Sequence, residues 1–206
     1  MVSSFQAHNN FYTIFDILLA NNGDSLITGS TDNSIKIWHT ANFTLKNIFK
    51  SNLQFSSLAL LPDGSLASGM TNGSIKIWDL KNSALKVEIT GHANKVSKLL
   101  VLYNGDLASA SYDLSIKIWD TASYQLKMTL IGHTGNVLCL SDLFNGYFAS
   151  GSDDKLIRVW SLSTGWLKQN LTGHISAVNT LATLSTNGTF ASGSNDGYIK
   201  VWYPVY

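Results

Sequence analysis

A histidine, a serine or threonine and an aspartate return together along this chain: His8, Thr28 and Asp32; His92, Ser109 and Asp113; His133, Ser150 and Asp154; His174, Ser192 and Asp196. Those types can carry acyl transfer, the imidazole taking the hydroxyl proton and the carboxylate orienting the imidazole. The repetition argues against it. A hydrolase needs one activated hydroxyl in a cleft beside an oxyanion hole, whereas this set recurs and is followed each time by a tryptophan, Trp38, Trp119, Trp160 or Trp202. Buried polar groups that satisfy one another explain the same pattern. One histidine per unit, with no Cys or His pair at ligand spacing, does not make a metal site. No glycine-rich strand-to-helix loop offers a phosphate cradle, and Gly151 and Gly193 fit crowding within a strand. The sequence predicts no enzyme, no metal and no cofactor.

What positions these residues is a repeat. The stretch Ala108 to Asp120 has four counterparts, and the tryptophans Trp38, Trp78, Trp119, Trp160 and Trp202 stand 40, 41, 41 and 42 residues apart. Such a period indicates a solenoid, an array or a propeller. In unit one, Ile14 to Leu19 reads as strand a, Leu26 to Ser30 as b, Ser34 to Trp38 as c and Leu45 to Phe49 as d. Asn22-Gly23, Asp63-Gly64, Asn104-Gly105, Asn145-Gly146 and Asn187-Gly188 mark the a-to-b hairpins, for which type I′ turns are expected. Unit five stops at Tyr206 without a d strand, while Met1 to His8 aligns with Leu167 to His174. The expectation is therefore an all-β, five-bladed propeller of four-stranded antiparallel blades, closed by the N-terminal strand. Its units fall at about 6–49, 50–89, 90–130, 131–171 and 172–206, the last completed by 1–5. Closure would remove two open sheet edges at once.

Composition agrees with one continuous architecture. Apolar residues make up 45% and charged residues 13%, which suits sheets packed on both faces. The net charge of +1 and the lack of a basic stripe speak against nucleic acid. No apolar run reaches membrane-spanning length, and Met1 to His8 lacks a signal-peptide core. The single cysteine, Cys139, lies in an apolar run and reads as a buried thiol of a cytoplasmic, monomeric protein.

Gly-His, a hairpin, Ala-Ser-Gly-Ser with an Asp, and Ile-Lys-Ile-Trp-Asp together resemble the WD-repeat β-propeller family, over nearly the whole chain. The resemblance implies that His, Ser or Thr, Asp and Trp form a hydrogen-bonded structural tetrad in each blade. Those tetrads are His8, Thr28, Asp32 and Trp38; His92, Ser109, Asp113 and Trp119; His133, Ser150, Asp154 and Trp160; and His174, Ser192, Asp196 and Trp202. Unit two departs, with Lys50-Ser51 in the Gly-His slot, Met70 for the second Ser and Asn72 for the Asp. Only Ser68 and Trp78 remain, and blade two is expected to be the least stable.

The resemblance also implies a non-catalytic platform for protein or peptide partners, docking on the face that carries the d-to-a connections and b-to-c turns. The outward positions there include Phe15, Gln54, Lys95, Tyr112, Asn136, Leu138, Asp153, Asn179 and Asn195, with Phe11 and Tyr12 in a connection two residues longer than its counterparts. The aromatic residues are candidate anchors, although Phe11 or Phe15 could equally fill space between blades one and five. Trp166 is off register, and packing at the start of strand d competes with a binding role. The alternative is a fragment of a larger WD-repeat protein, whose function resides in additional blades or an attached effector domain.

Overall fold

The computed structural model describes residues 4–9, 11–20, 23–144 and 146–203. Alternating aliphatic and polar residues, punctuated by Gly, Asn and Asp, form nineteen strands among these residues. Blade one holds β1 (Ile14–Ala20), β2 (Ser25–Ser30), β3 (Ser34–His39) and β4 (Leu45–Lys50). Blade two holds β5 (Phe55–Leu60), β6 (Leu66–Met70), β7 (Ile75–Asp79) and β8 (Ala84–Ile89). Blade three holds β9 (Val96–Val101), β10 (Leu107–Ser111), β11 (Ser115–Trp119) and β12 (Leu126–Ile131). Blade four holds β13 (Val137–Asp142), β14 (Tyr147–Ser152), β15 (Ile157–Ser161) and β16 (Leu167–Leu171). Blade five has three strands, β17 (Val178–Thr183), β18 (Phe190–Ser194) and β19 (Ile199–Trp202). Each sheet is an antiparallel meander in chain order.

The core lies between blades. Four buried apolar clusters occupy the four joints between consecutive blades, as when Phe55 and Leu58 of blade two meet Ile35 and Ile37 of blade one. The inner strands carry each joint, β1 packing on β5, β5 on β9, β9 on β13 and β13 on β17. Among the described residues no fifth cluster joins blade five to blade one.

Closure by the N-terminal strand is not confirmed by the described residues. Met1, Val2 and Ser3 lie outside them, and Ser4 and Phe5 belong to no strand. The Phe5 ring packs edge-on against Trp38, with centroids 5.1 Å apart, and stacks on Phe43 at 5.0 Å. Those aromatic contacts hold Phe5 on blade one.

The hairpins also differ from expectation. In the second, Gly64 N–H donates to Leu61 O at 2.9 Å and Leu61 N–H to Ser65 O at 2.8 Å; the third repeats this with Gly105, Leu102 and Asp106. Gly64 and Gly105 have φ of +82° and +86°, but Asp63 and Asn104 are not left-handed. These are type I turns closed by a left-handed glycine in a bulge, so only the second residue of each pair needs positive φ. Asn22 and Asn145, in the first and fourth hairpins, lie outside the described residues.

Candidate functional site

The strand register sets the polar constellation. In blade three, Ser109 pairs across the sheet with Lys117, Trp119 closes β11, and Asp113 sits in the turn between β10 and β11. Asp113 Oδ2 lies 2.8 Å from His92 Nδ1, His92 Nε2 lies 2.7 Å from Ser109 Oγ, and Trp119 Nε1 donates to that oxygen at 2.8 Å. The other three tetrads keep this order. His8 reaches Asp32 at 2.8 Å and Thr28 at 2.8 Å, and Trp38 donates to Thr28 at 3.0 Å. His133 reaches Asp154 at 2.8 Å and Ser150 at 2.7 Å, and Trp160 donates to Ser150 at 2.8 Å. His174 reaches Asp196 and Ser192, both at 2.7 Å, and Trp202 donates to Ser192 at 2.7 Å.

Burial pushes His92 and His133 below the ordinary imidazole range, although their aspartates pull the other way. A neutral imidazole then donates from Nδ1 to the carboxylate and accepts the serine hydroxyl at Nε2. Burial works to raise Asp113, but hydrogen bonds from Ser115, the Ala93 N–H and His92 hold it down at about 2. Asp154 is likewise held at about 2 against burial, by the Thr134 N–H and His133. Ser109 and Ser150 are fully buried, so no substrate carbonyl can reach either hydroxyl. Among the described residues no three His, Cys, Asp or Glu side chains converge as a metal cage.

Two members of this network escape sequence reasoning. The hydroxyls of Ser34 and Ser115, two residues after the turn aspartates, donate to Asp32 and Asp113 at 2.6 Å each. A serine at that spacing in units one, two and three was the available signal. Blade four has Leu156 there, and Arg158 Nη1 enters instead, 2.6 Å from both Asp154 Oδ2 and His133 Nδ1. In blade two, Trp78 donates to Ser68 at 2.8 Å, and Asn72 Oδ1 takes the backbone and hydroxyl of Ser74 at 3.1 and 2.9 Å. Ser68 Oγ has Met70 Sδ 3.9 Å away where the other blades have an imidazole, and lies 3.3 Å from Lys76 O much as Ser109 Oγ lies 3.4 Å from Lys117 O.

A second repeated device shapes one face of the assembly. The N–H before each turn aspartate, or before Asn72, donates to the carbonyl just ahead of strand a: Thr31 to Thr13, Thr71 to Gln54, Tyr112 to Lys95, Asp153 to Asn136 and Asn195 to Ala177, at 3.0–3.1 Å. This brings the outward residues together in pairs. Lys95 Nζ stands 5.2 Å above the Tyr112 ring, Asn136 donates to Asp153 at 2.8 Å, and Asn179 donates to Asn195. Gln54, Asp153, Asn179 and Asn195 are exposed, and Lys95, Tyr112, Asn136 and Leu138 half-buried. Phe11 is 98% exposed and Tyr12 is 50% exposed, whereas Phe15 is half-buried and packs against the cluster between blades one and two. Phe15 thus belongs to the joint between blades one and two, not to the space between blades one and five expected from the sequence. Trp166 is 77% exposed and does not pack at the start of β16.

Repeated meanders, buried tetrads and a face of paired turn residues define a WD-type propeller repeat protein. The family model "WD domain, G-beta repeat" matches five times, at residues 1–39, 44–79, 83–120, 124–161 and 165–203, and the chain belongs to this family. Among solved structures it is similar to U3-55K, with a TM-score of 0.86 and 23% identity over 95% of this chain and 62% of that one. It is also similar to the computationally designed Ika8 protein, with a TM-score of 0.80 and 27% identity over 91% of this chain and 57% of that one. The chain thus spans less than two thirds of either structure. A comparison with curated proteins finds no match.

Proposed function

We propose that this chain is a non-catalytic interaction platform, whose partner protein or peptide lies across the paired residues of the turn-bearing face. The observation that carries the reading is the set of five equivalent backbone hydrogen bonds, which hold Thr13/Thr31, Gln54/Thr71, Lys95/Tyr112, Asn136/Asp153 and Ala177/Asn195 side by side. A rigid scaffold lowers the entropy lost when such side chains engage a ligand. Tyr112, with Lys95 over its ring, and the exposed Phe11 and Tyr12 supply the aromatic anchors. The surrounding Gln54, Asn136, Leu138, Asp153, Asn179 and Asn195 form a mostly neutral rim, suited to a peptide backbone more than to a phosphate or a nucleic acid. The tetrads serve the fold, and a reducing, cytoplasmic setting suits the lone thiol Cys139.

The test is affinity capture by the immobilised chain, with mass spectrometry of what is retained. The double variant Tyr112→Ala with Phe11→Ala loses the captured protein while its thermal midpoint stays within about 2 °C. Retention of the same protein by the double variant refutes the assignment of this face. A second reading, that the chain is part of a larger WD-repeat protein, is favoured by the bare apolar ends of the blade array.

A further inference from the structure

The third strand of unit five, β19, repeats a pattern whose environment changes at the end of the array. Ile35, Ile37, Ile75, Ile77, Ile116, Ile118, Ile157 and Val159 are all at most 4% exposed, because the following blade covers them. Their equivalents in β19, Ile199 and Val201, are 79% and 46% exposed. At the other end the positions that press on a preceding blade behave alike: Leu58, Leu99 and Leu140 are at most 4% exposed, and Ile17 is 58% exposed. Leu19 beside it is 63% exposed.

The internal joints specify what belongs on these faces. A Cβ on Gly69 would stand 2.7 Å from Val96 Cγ1, and one on Gly151 would stand 2.7 Å from Val178 Cγ1, so at these two joints the first residue of the incoming strand a seats on the glycine of the previous strand b. Gly193 keeps that glycine, yet among the described residues the only neighbour of a Cβ there is Thr180 of its own blade. The polar half of the joint is also present. Leu99 N–H donates to Ser57 Oγ of the preceding blade at 3.1 Å, and Thr180 offers a hydroxyl at the position of Ser57. Among the described residues, none forms on the outer edge of β19 the fourth strand that β4, β8, β12 and β16 provide elsewhere. Phe5 meanwhile sits on Trp38 at 5.1 Å as Phe49, in the outermost strand of blade one, sits on Trp78 at 5.0 Å. The segment around Phe5 thus stands against blade one as the last strand of a preceding blade would.

We propose that the faces of blades five and one are joint surfaces for one or more further four-stranded blades of the same kind, which lie outside these 206 residues. This inference rests on the second reading above. The incoming blade lays a branched residue on Gly193, covers Ile199 and Val201, and reaches Ile17 and Leu19 of blade one from its other side. A strand added along β19 satisfies that edge. A second copy is the weaker occupant. Two copies joined at both ends would close only as ten blades, five from each, while the solved structures that superpose on this chain extend beyond it. An apolar face left bare at each end of the array is a surface that soluble proteins cover.

The experiment compares the 206-residue chain with versions extended after Trp202 by one or two copies of its own residues 161–202, which encode an outermost strand and the three inner strands of a next blade. The unextended chain is expected to be a monomer that binds a hydrophobic dye and exchanges the Ile199 and Val201 amides freely. The extended chain is expected to lose dye binding and to slow those amides by about 100-fold or more. Gly193→Val in the extended chain should leave β19 labile while the Trp119 indole N–H stays protected, showing that the rest is folded. The inference is overturned by protected β19 amides in the unextended monomer, which mean a ring of five. It is overturned equally by a head-to-tail oligomer that protects them, or by extended chains that do not. Whether the native polypeptide is itself longer is read separately from its intact mass in its source.

Discussion

Asp113→Asn tests the electrostatic account of the tetrads, because blade two already carries asparagine at that position. Asp113 Oδ1 accepts the backbone and hydroxyl of Ser115 at 3.0 and 2.6 Å, and Oδ2 accepts His92 Nδ1 and the Ala93 N–H at 2.8 and 3.0 Å. An amide in place of the carboxylate keeps the first pair and turns an NH2 toward the second. His92 can respond by changing tautomer, but the Ala93 N–H cannot. Two charge-assisted bonds lose about 1 kcal/mol each, and the orphaned N–H adds about 1 more, for a total near 3 kcal/mol. Asn72 faces no such conflict, since Ser51 stands in the histidine slot. Asn72→Asp should therefore change stability by less than about 0.5 kcal/mol. Urea midpoints, with exchange of the Trp119 and Trp78 indole N–H groups as blade-local probes, separate the two. Equal effects at positions 113 and 72 would refute the reasoning, because they would mean that the carboxylate charge contributes nothing through His92 and Ala93.

Acid should weaken the protein in two stages. The unfolded chain takes up protons on histidine below about 6.5 while buried His92 and His133 resist them, so stability falls from there downward; it falls again between about 4 and 2 as Asp113 and Asp154, held low when folded, are protonated. A pH series of urea midpoints that stays flat from 7 to 5 contradicts the first stage. Trp119→Ala should cost about 3–5 kcal/mol and Trp202→Ala distinctly less, since Trp119 is 3% exposed and Trp202, at the bare end, is half-buried; equal losses of thermal midpoint would mean that blade five is covered in solution. The Cys139 thiol, pushed up to about 12 by burial, should resist alkylation at pH 8 until the chain unfolds, and rapid labelling of the native protein would show that the joint between blades four and five opens.

The repeat made most of the fold legible in the sequence. The spacing of the five tryptophans, the Gly-containing hairpins and the alternation in Ile35 to Trp38 locate strands to within a residue or two, because β-structure is written in local period and turn chemistry. The His, Ser, Asp and Trp positions were legible for the same reason, since each is fixed relative to its strand. What escaped depends on neighbours in space. Arg158 enters the tetrad of blade four because Leu156 vacates the place of a hydroxyl, and Phe15 belongs to a joint because the cluster between blades one and two receives its ring. Whether an array closes is likewise set by contacts between its first and last blades, which no local period encodes. The same Ile-Lys-Val-Trp pattern in β19 that would be core in any inner blade lies open to solvent here, since burial is a property of the blade that follows and not of the strand itself.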